Sequence, residues 1–268
     1  NYSDIFQRFE RVVFDDGSEI DLTTGLTISG VDGSTAALYG TQFGDVFTTV
    51  EGSQSFLGRA GDDIISGGSG NDYISGGEGV DTANYEDAPS GILANLSSSV
   101  YVTANPELAN ISARTVQDGY GNVDQIDSIE NVVGSQHDDV MIGDDTNNLL
   151  VGMHGRDILE GGAGDDHLIG GGLRDTLNGG LGTDTYEGGE GNDLFVINSG
   201  EADGDFVADF EARERLITNY QSFIGTQEFT DGGASQLRYF FYADETIFEA
   251  DVNGDGIADE TFTIDGLW

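Results

Sequence analysis

The sequence predicts an all-β fold, a solenoid of short parallel strands wound in two arrays, and three observations predict it. From residue 134 to 196 the chain repeats every nine residues without a slip: GSQHDDVMI, GDDTNNLLV, GMHGRDILE, GGAGDDHLI, GGGLRDTLN, GGLGTDTYE and GGEGNDLFV. The sixth position of every block is an acid or an amide: Asp139, Asn148, Asp157, Asp166, Asp175, Asp184 and Asp193. The eighth is apolar: Met141, Leu150, Leu159, Leu168, Leu177, Tyr186 and Phe195. The last three residues of a block make a strand too short to cross a domain and return, so two blocks must form one turn of a coil. Blocks eighteen residues apart then stack at about 4.8 Å, the spacing of paired strands.

Taken in order, residues 1–39 read as a β-hairpin flank. FERVVFDDGSEIDL (9–22) sets two β-prone runs around an Asp-Asp-Gly-Ser turn, which makes Asp15 and Asp16 turn residues rather than ligands. Residues 40–84 are a first array: GTQFGDVFT supplies Asp45, and the next block has Gln54 with Phe56 in the apolar slot. GRAGDDIIS, GGSGNDYIS and GGEGVDTAN then supply Asp63, Asp72 and Asp81. Asp81 and Asp139 are 58 residues apart, not a multiple of nine, so the segment 85–133 breaks the phase. Its stretches YEDAPSGILANLSSSVYV and NVDQIDSIENVV predict strands that continue or flank the wall. A loop projects near 104–110, and both prolines, Pro89 and Pro106, fall in this segment. Residues 134–196 are the second array. In residues 197–268 the glycines thin out and aromatic strands form a β-cap. A solenoid leaves unpaired strand edges at its ends. Phe210, Tyr239, Phe240, Phe241 and Phe248 are placed to cover one, Phe6, Phe9 and Phe14 the other.

The eighteen-residue stack puts Asp157 over Asp175, Asp166 over Asp184, Asp175 over Asp193, Asp45 over Asp63 and Asp63 over Asp81. Two carboxylates about 5 Å apart repel by ~3 kcal/mol at an effective dielectric near 20. Each turn buries two main apolar residues, against backbone ordering of about 1–2 kcal/mol for each residue. A hard cation taking about 6–8 oxygen ligands settles that balance. Carboxylates with glycine carbonyls, and no thiol, select calcium over zinc or copper, with several ions per chain. The expected ligands are the acids and amide at the sixth positions, from Asp45, Asp63, Asp72 and Asp81 to the second-array set. With them come the loop glycines Gly67, Gly70, Gly76, Gly161, Gly164, Gly179, Gly182, Gly188 and Gly191.

Departures from the pattern are expected to weaken sites. Arg59, Met153 and Thr41 replace the second glycine, and Leu173 takes a fourth position where a left-handed backbone is costly for a branched residue. Asn148 offers only a neutral oxygen. The strongest sites are therefore expected around Asp63 and Asp81 and from Asp157 to Asp193. Near the C-terminus Asp251, Asn253, Asp255 and Asp259 form D-x-N-x-D-G-x-x-D, close to the start of an EF-hand loop, but Phe262 stands where the bidentate Glu belongs. A β-hairpin tip and a calcium-loaded tip both fit this segment.

Composition narrows the partners. The 268 residues carry 50 acids against nine basic residues, all Arg, for a formal charge of −41, which excludes nucleic acid and anionic membrane surfaces. There is no Cys, and no stretch approaches the ~20 apolar residues of a membrane span. His137, His154 and His167 fall at different phases of the repeat, and neither HExxH nor G-x-S-x-G occurs, so the chain is expected not to be an enzyme. It begins at Asn1 without an initiator Met or a signal-like segment and reads as part of a longer polypeptide.

GGSGNDYIS and GGAGDDHLI match G-G-x-G-x-D-x-U-x, the calcium-binding signature of RTX proteins, residue for residue. The chain thus resembles that family. FERVVFDDG resembles the stretch preceding such repeats, and the insert ending in SIENV resembles those of large secreted members. GDFVADFEARERLI (204–217) is similar to the segment closing the arrays in serralysin-like proteases. The resemblance implies a right-handed parallel β-roll, loaded with calcium after type I secretion, in a secreted or cell-surface protein. It implies an extracellular structural module of a larger surface or adhesive protein, or alternatively the C-terminal secretion and stability module of an exported hydrolase or epimerase. Glycan binding or self-association through the acidic surface is a further expectation.

Overall fold

In the computed structural model of the chain, the nine-residue beat of the sequence becomes an eighteen-residue sheet register. Leu150 pairs with Leu168 and Leu168 with Tyr186 on one wall, and Leu159 with Leu177 and Leu177 with Phe195 on the other. The structure describes residues 11–13, 19–21, 25–32, 37–102, 110–211, 213–227, 229, 235–242 and 245–266. Every regular element among the described residues is a β-strand. The expected parallel β-solenoid is what forms. The chain divides into two compact units, Asn1–Val133 and Gly134–Trp268.

The first unit opens with the expected hairpin, Arg11–Val13 antiparallel to Glu19–Asp21 with Val12 opposite Ile20. Its turn, with Asp15 and Asp16, lies outside the described residues, as do Phe6, Phe9 and Phe14. One wall then stacks Thr27–Asp32, Val46–Glu51, Ile64–Ser66, Thr82–Asn84 and Asn131–Val133 in parallel. The facing wall stacks Ala37–Tyr39, Ser55–Ala60, Tyr73–Glu78 and Val123–Asp127. Period-two alternation sends one side chain of each strand inward. Phe47, Phe56, Ile65, Ile74 and Ala83 are fully buried, with the Phe47 and Phe56 rings meeting edge to face at 5.9 Å. The insert leaves this coil at Tyr85 and builds two antiparallel strands, Leu93–Asn95 and Thr115–Gln117. It re-enters with Ile126 paired to Ile74 and Val132 to Ala83, restoring the register after an excursion of non-repeat length. The projecting loop expected at 104–110 falls almost wholly outside the described residues.

The second unit repeats the plan. Val140–Ile142, Ile158–Ala163, Thr176–Leu181, Leu194–Val196 and Arg215–Ile217 form one wall; Leu149–His154, His167–Leu173, Thr185–Gly191 and Phe206–Phe210 form the other. Met141, Leu150, Leu159, Leu168, Leu177 and Phe195 are fully buried between them. Many strands run six or seven residues, through the glycines of the following block, because those glycines also pair across turns, as Gly162 does with Gly180. The C-terminal segment extends a wall: Glu260–Gly266 pairs parallel with Phe206–Phe210, and Glu245–Asp251 and Gln236–Tyr242 follow as an antiparallel meander. Phe195 packs against Phe210 at 5.8 Å, and Phe248 stacks on Phe262 at 4.7 Å. Phe241, expected to cover the edge, instead stands 64% exposed near the end of its strand, its ring edge-on to Tyr239 at 5.2 Å.

Candidate metal centre

Each turn between strands delivers its sixth-position side chain inward, and the stack of turns links these side chains into ladders. The backbone N–H of one rung donates to Oδ1 of the rung one turn on. Asp63 donates to Asp81 at 2.8 Å, Asp139 to Asp157 at 2.8 Å, Asp157 to Asp175 at 2.8 Å, Asp166 to Asp184 at 2.9 Å and Asp175 to Asp193 at 2.8 Å. All the sixth-position acids are buried to within 2% exposure. Oδ1 is therefore spent on the fold, and the second oxygen decides what each rung can do.

That oxygen takes two forms. In eight rungs, Asp63, Asp72, Asp81, Asp157, Asp166, Asp175, Asp184 and Asp193, Oδ2 is buried with no hydrogen-bond partner. In Asp45 and Asp139, Oδ2 accepts the N–H of the second residue of the same block, Thr41 at 2.5 Å and Ser135 at 2.6 Å. The amide oxygen of Asn148 likewise accepts the N–H of Asp144 at 2.8 Å. The backbone at position two separates the forms. It is left-handed in all eight open blocks, with φ from 73° to 120° at Arg59, Gly68, Gly77, Met153, Gly162, Gly171, Gly180 and Gly189, and it is not left-handed at Thr41, Ser135 or Asp144. Arg59 and Met153 thus do not behave as expected. They adopt the glycine conformation, at the strain a non-glycine residue meets there, and leave their rungs open. Leu173 does the same at position four, with φ 86°.

Carbonyl oxygens gather at the open carboxylates. A Cβ on Gly58, Gly152, Gly161 or Gly170 would lie within 2.8 Å of Oδ2 of Asp63, Asp157, Asp166 or Asp175, and as close to the carbonyl of Gly76, Gly170, Gly179 or Gly188 one turn on. Only glycine leaves that cradle clear. Among the described residues no three His, Cys, Asp or Glu converge on one point, so side chains alone make no metal cage. A mixed set of carboxylate and carbonyl oxygens fits a hard cation, and calcium above all. Burial is the main reason these carboxyls hold protons more tightly than a free Asp. It pushes Asp72, Asp81 and Asp184 up to about 6, Asp63, Asp166 and Asp175 up to about 7, and Asp157 up to about 8, against the N–H bonds that lower them.

The ladders also contain acids outside the repeat. Asp72 N–H donates to Asp124 at 2.9 Å, Asp81 N–H to Glu130 at 2.8 Å and Asp184 N–H to Asp205 at 2.9 Å. Glu214 precedes Arg215, which pairs with Leu194, and so takes the rung beyond Asp193. The signal was present: each has an apolar residue two places on, Ile126, Val132, Val207 and Leu216, the offset of the repeat without its glycines. Asp251, Asn253 and Asp255 lie apart from the ladders, in the connection between Glu245–Asp251 and Glu260–Gly266. His137, His154 and His167 sit in different blocks; His167 Nε2 lies 2.9 Å from Glu187.

Comparison with known proteins agrees with the geometry. The family model of the RTX calcium-binding nonapeptide repeat matches the chain four times, over residues 48–83, 133–168, 142–177 and 160–195. No curated protein matches the chain. Among solved structures, the extracellular lipase LipA from Serratia marcescens is similar at 16% identity and a TM-score of 0.27, over 90% of this chain, which spans 40% of the lipase. That likeness is too slight to bear on fold or function.

Proposed function

We propose that the RTX repeats of this chain form an extracellular calcium-binding structural module that folds when it meets calcium after secretion, within a larger surface or adhesive protein. RTX repeats bind calcium and occur in type I-secreted extracellular proteins. What carries the reading is the set of eight buried, partnerless carboxylate oxygens. Leaving a buried polar group unsatisfied costs about 1–3 kcal/mol, so eight cost on the order of 8–24 kcal/mol. That rivals the whole ~5–15 kcal/mol stability of a domain. A cation that binds only the folded coil removes the penalty and stabilises the fold by mass action. The ligands would be Oδ2 of the open aspartates with the first-position glycine carbonyls beside them.

The test is circular dichroism of the chain through a calcium titration. The expected result is little β-signal in chelator and a cooperative gain with calcium, with magnesium a poor substitute because it holds its water and demands octahedral geometry. A full β-spectrum in excess chelator would overturn the reading. The second reading, a secretion and stability module behind an exported hydrolase or epimerase, draws on the similarity of residues 204–217 to the segment that closes serralysin-type arrays. The sequence of the intact gene product distinguishes the two readings.

A further inference from the structure

Two of the ladders, the one running through Asp72 to Asp124 and the one running through Asp184 to Asp205, end on rungs whose second oxygen is already engaged, by the same chemistry in two unrelated stretches of sequence. In the first unit, Tyr85 Oη donates to Oδ2 of Asp124 at 3.0 Å. In the second, Tyr186 Oη donates to Oδ2 of Asp205 at 3.2 Å while accepting the N–H of Gly179 at 3.1 Å. Tyr85 is 4% and Tyr186 1% exposed, so neither hydroxyl can turn to water instead. The two tyrosines occupy different places in the repeat. Tyr85 follows the block GGEGVDTAN directly, whereas Tyr186 fills the apolar slot of its own block. Their likeness therefore lies in the bond and not in the repeat. At other blocks the seal is the N–H of Thr41, Ser135 or Asp144.

We propose that these five donors are metal-free stoppers that close their own rungs to calcium. Tyr85 and Tyr186 close Asp124 and Asp205 to calcium; the amides of Thr41, Ser135 and Asp144 close Asp45, Asp139 and Asn148. An oxygen that accepts an N–H or O–H in a dry interior presents that lone pair to the donor, and an ion could take it only by leaving the donor buried and unsatisfied. Seven of the eight open rungs have no such competitor, and the eighth, Asp193, faces the Glu214 carboxyl. The acid pattern of the sequence thus overstates the calcium sites, and the residue facing Oδ2 decides whether a rung is one. This inference rests on the reading that the open rungs bind calcium.

Calcium bound per chain, measured by native mass spectrometry with equilibrium dialysis at saturating calcium, tests it. Asp124→Asn and Asp205→Asn should leave the number of bound ions unchanged, while Asp175→Asn should lose at least one. Tyr186→Phe removes the donor and should gain an ion at Asp205, and Ser135→Gly, which lets position two take the left-handed form of the open blocks and turn its N–H away, should gain one at Asp139. Far-UV circular dichroism confirms that each variant folds. Should Tyr186→Phe fail to fold, Tyr85→Phe and Ser135→Gly carry the gain arm, while Asp124→Asn and Asp205→Asn still test the unchanged number and Asp175→Asn the loss. Loss of an ion from Asp124→Asn or Asp205→Asn, or an unchanged number in every folded stopper variant, overturns the proposal. A wild-type chain that binds no calcium overturns instead the functional reading beneath it.

Discussion

The open rungs of the coil and the Asp251–Asp259 connection are built from the same residues, aspartates and glycines at close spacing, and they differ in where the backbone N–H groups point. In the connection, Oδ1 of Asp251 accepts Gly254 N–H at 2.6 Å and Oδ2 accepts Gly256 N–H at 2.8 Å. Asp259 accepts Val252 N–H at 2.8 Å, and Asp255 accepts Ile257 N–H at 2.9 Å. Each acid closes a local turn, as Asp and Asn side chains do wherever the chain reverses. In the coil, the left-handed residue at position two turns its N–H away and leaves Oδ2 alone. The same acid spacing therefore yields two different hydrogen-bonding states. Both carboxylate oxygens of Asp251 have backbone partners in their own turn, and Oδ2 of the open rungs has none.

The sharpest way to break this comparison is to remove the self-satisfied region. Deleting residues 200–268 takes away Asp205, which accepts from Asp184, and the strand Phe206–Phe210, which pairs with Thr185–Gly191. The expected result is a chain that binds calcium weakly or aggregates as it binds, because a long strand edge is exposed. A soluble monomer with an unchanged calcium midpoint would show that the meander neither caps the coil nor nucleates its folding.

A gentler comparison uses one aspartate from each region. Both are fully buried, but Asp175 accepts Asp157 N–H, donates to Asp193 and keeps an open Oδ2, whereas the Asp251 carboxylate accepts the N–H groups of Gly254, Asp255 and Gly256 in its own turn. Asp175→Ala is expected to raise the calcium midpoint for folding about tenfold or more, the equivalent of ~1.4 kcal/mol. Asp251→Ala should move it by less than about threefold on the same scale. Equal shifts would mean that the connection binds an ion as the coil does.

How much of this was readable beforehand follows from which residues obey the period. The wall register, the ladders from Asp45 to Asp81 and Asp139 to Asp193, and the inward eighth positions all follow from strict nine-residue spacing, since stacking at one register admits a single phase. Asp124, Glu130, Asp205 and Glu214 were missed because loops of irregular length carry the chain back to the register, and spacing cannot see through them. The state of each rung was not readable from its acid at all. It depends on the sign of φ two residues into the block, where Arg59 and Met153 take the glycine form while Thr41, Ser135 and Asp144 do not. Small side chains able to hydrogen-bond locally occupy the sealed positions, and Thr41 and Ser135 do so, donating their hydroxyls to Asp45 and Asp139.

Acidity should separate the regions further. Burial raises the folded-state pKa of Asp63, Asp72, Asp81, Asp157, Asp166, Asp175 and Asp184 from 3.8 to between about 6 and about 8, and raises that of Asp193 as well. Between those values the folded coil holds more protons than the unfolded chain, so stability without calcium is greatest below pH ~4 and falls as pH rises toward ~7. With calcium the trend inverts, because protons compete for the same oxygens and ion binding releases them. The chelated chain should therefore gain β-signal on mild acidification, and the calcium midpoint should be higher near pH ~5 than near pH ~7.5. A midpoint independent of pH across that range would place the ions away from these carboxylates.

The smallest expected effect concerns the strain that keeps a turn in its form. Leu173 holds φ at 86° in the position a glycine fills in GGAGDDHLI, and its side chain is half exposed. A left-handed backbone costs an L-residue about 1–2 kcal/mol relative to glycine, while glycine adds roughly 0.5–1 kcal/mol of unfolded-state entropy to be lost on folding. The difference favours Leu173→Gly by up to about 1.5 kcal/mol, with little packing to lose from an exposed side chain. Denaturant unfolding at saturating calcium should show a slightly higher midpoint with an unchanged slope. The neighbouring rung, Asp175, keeps its open Oδ2 in either form, so the number of ions bound should stay the same. A lower midpoint would mean that Leu173 contributes contacts that outweigh its strain, and that the turn tolerates a branched residue because it uses one.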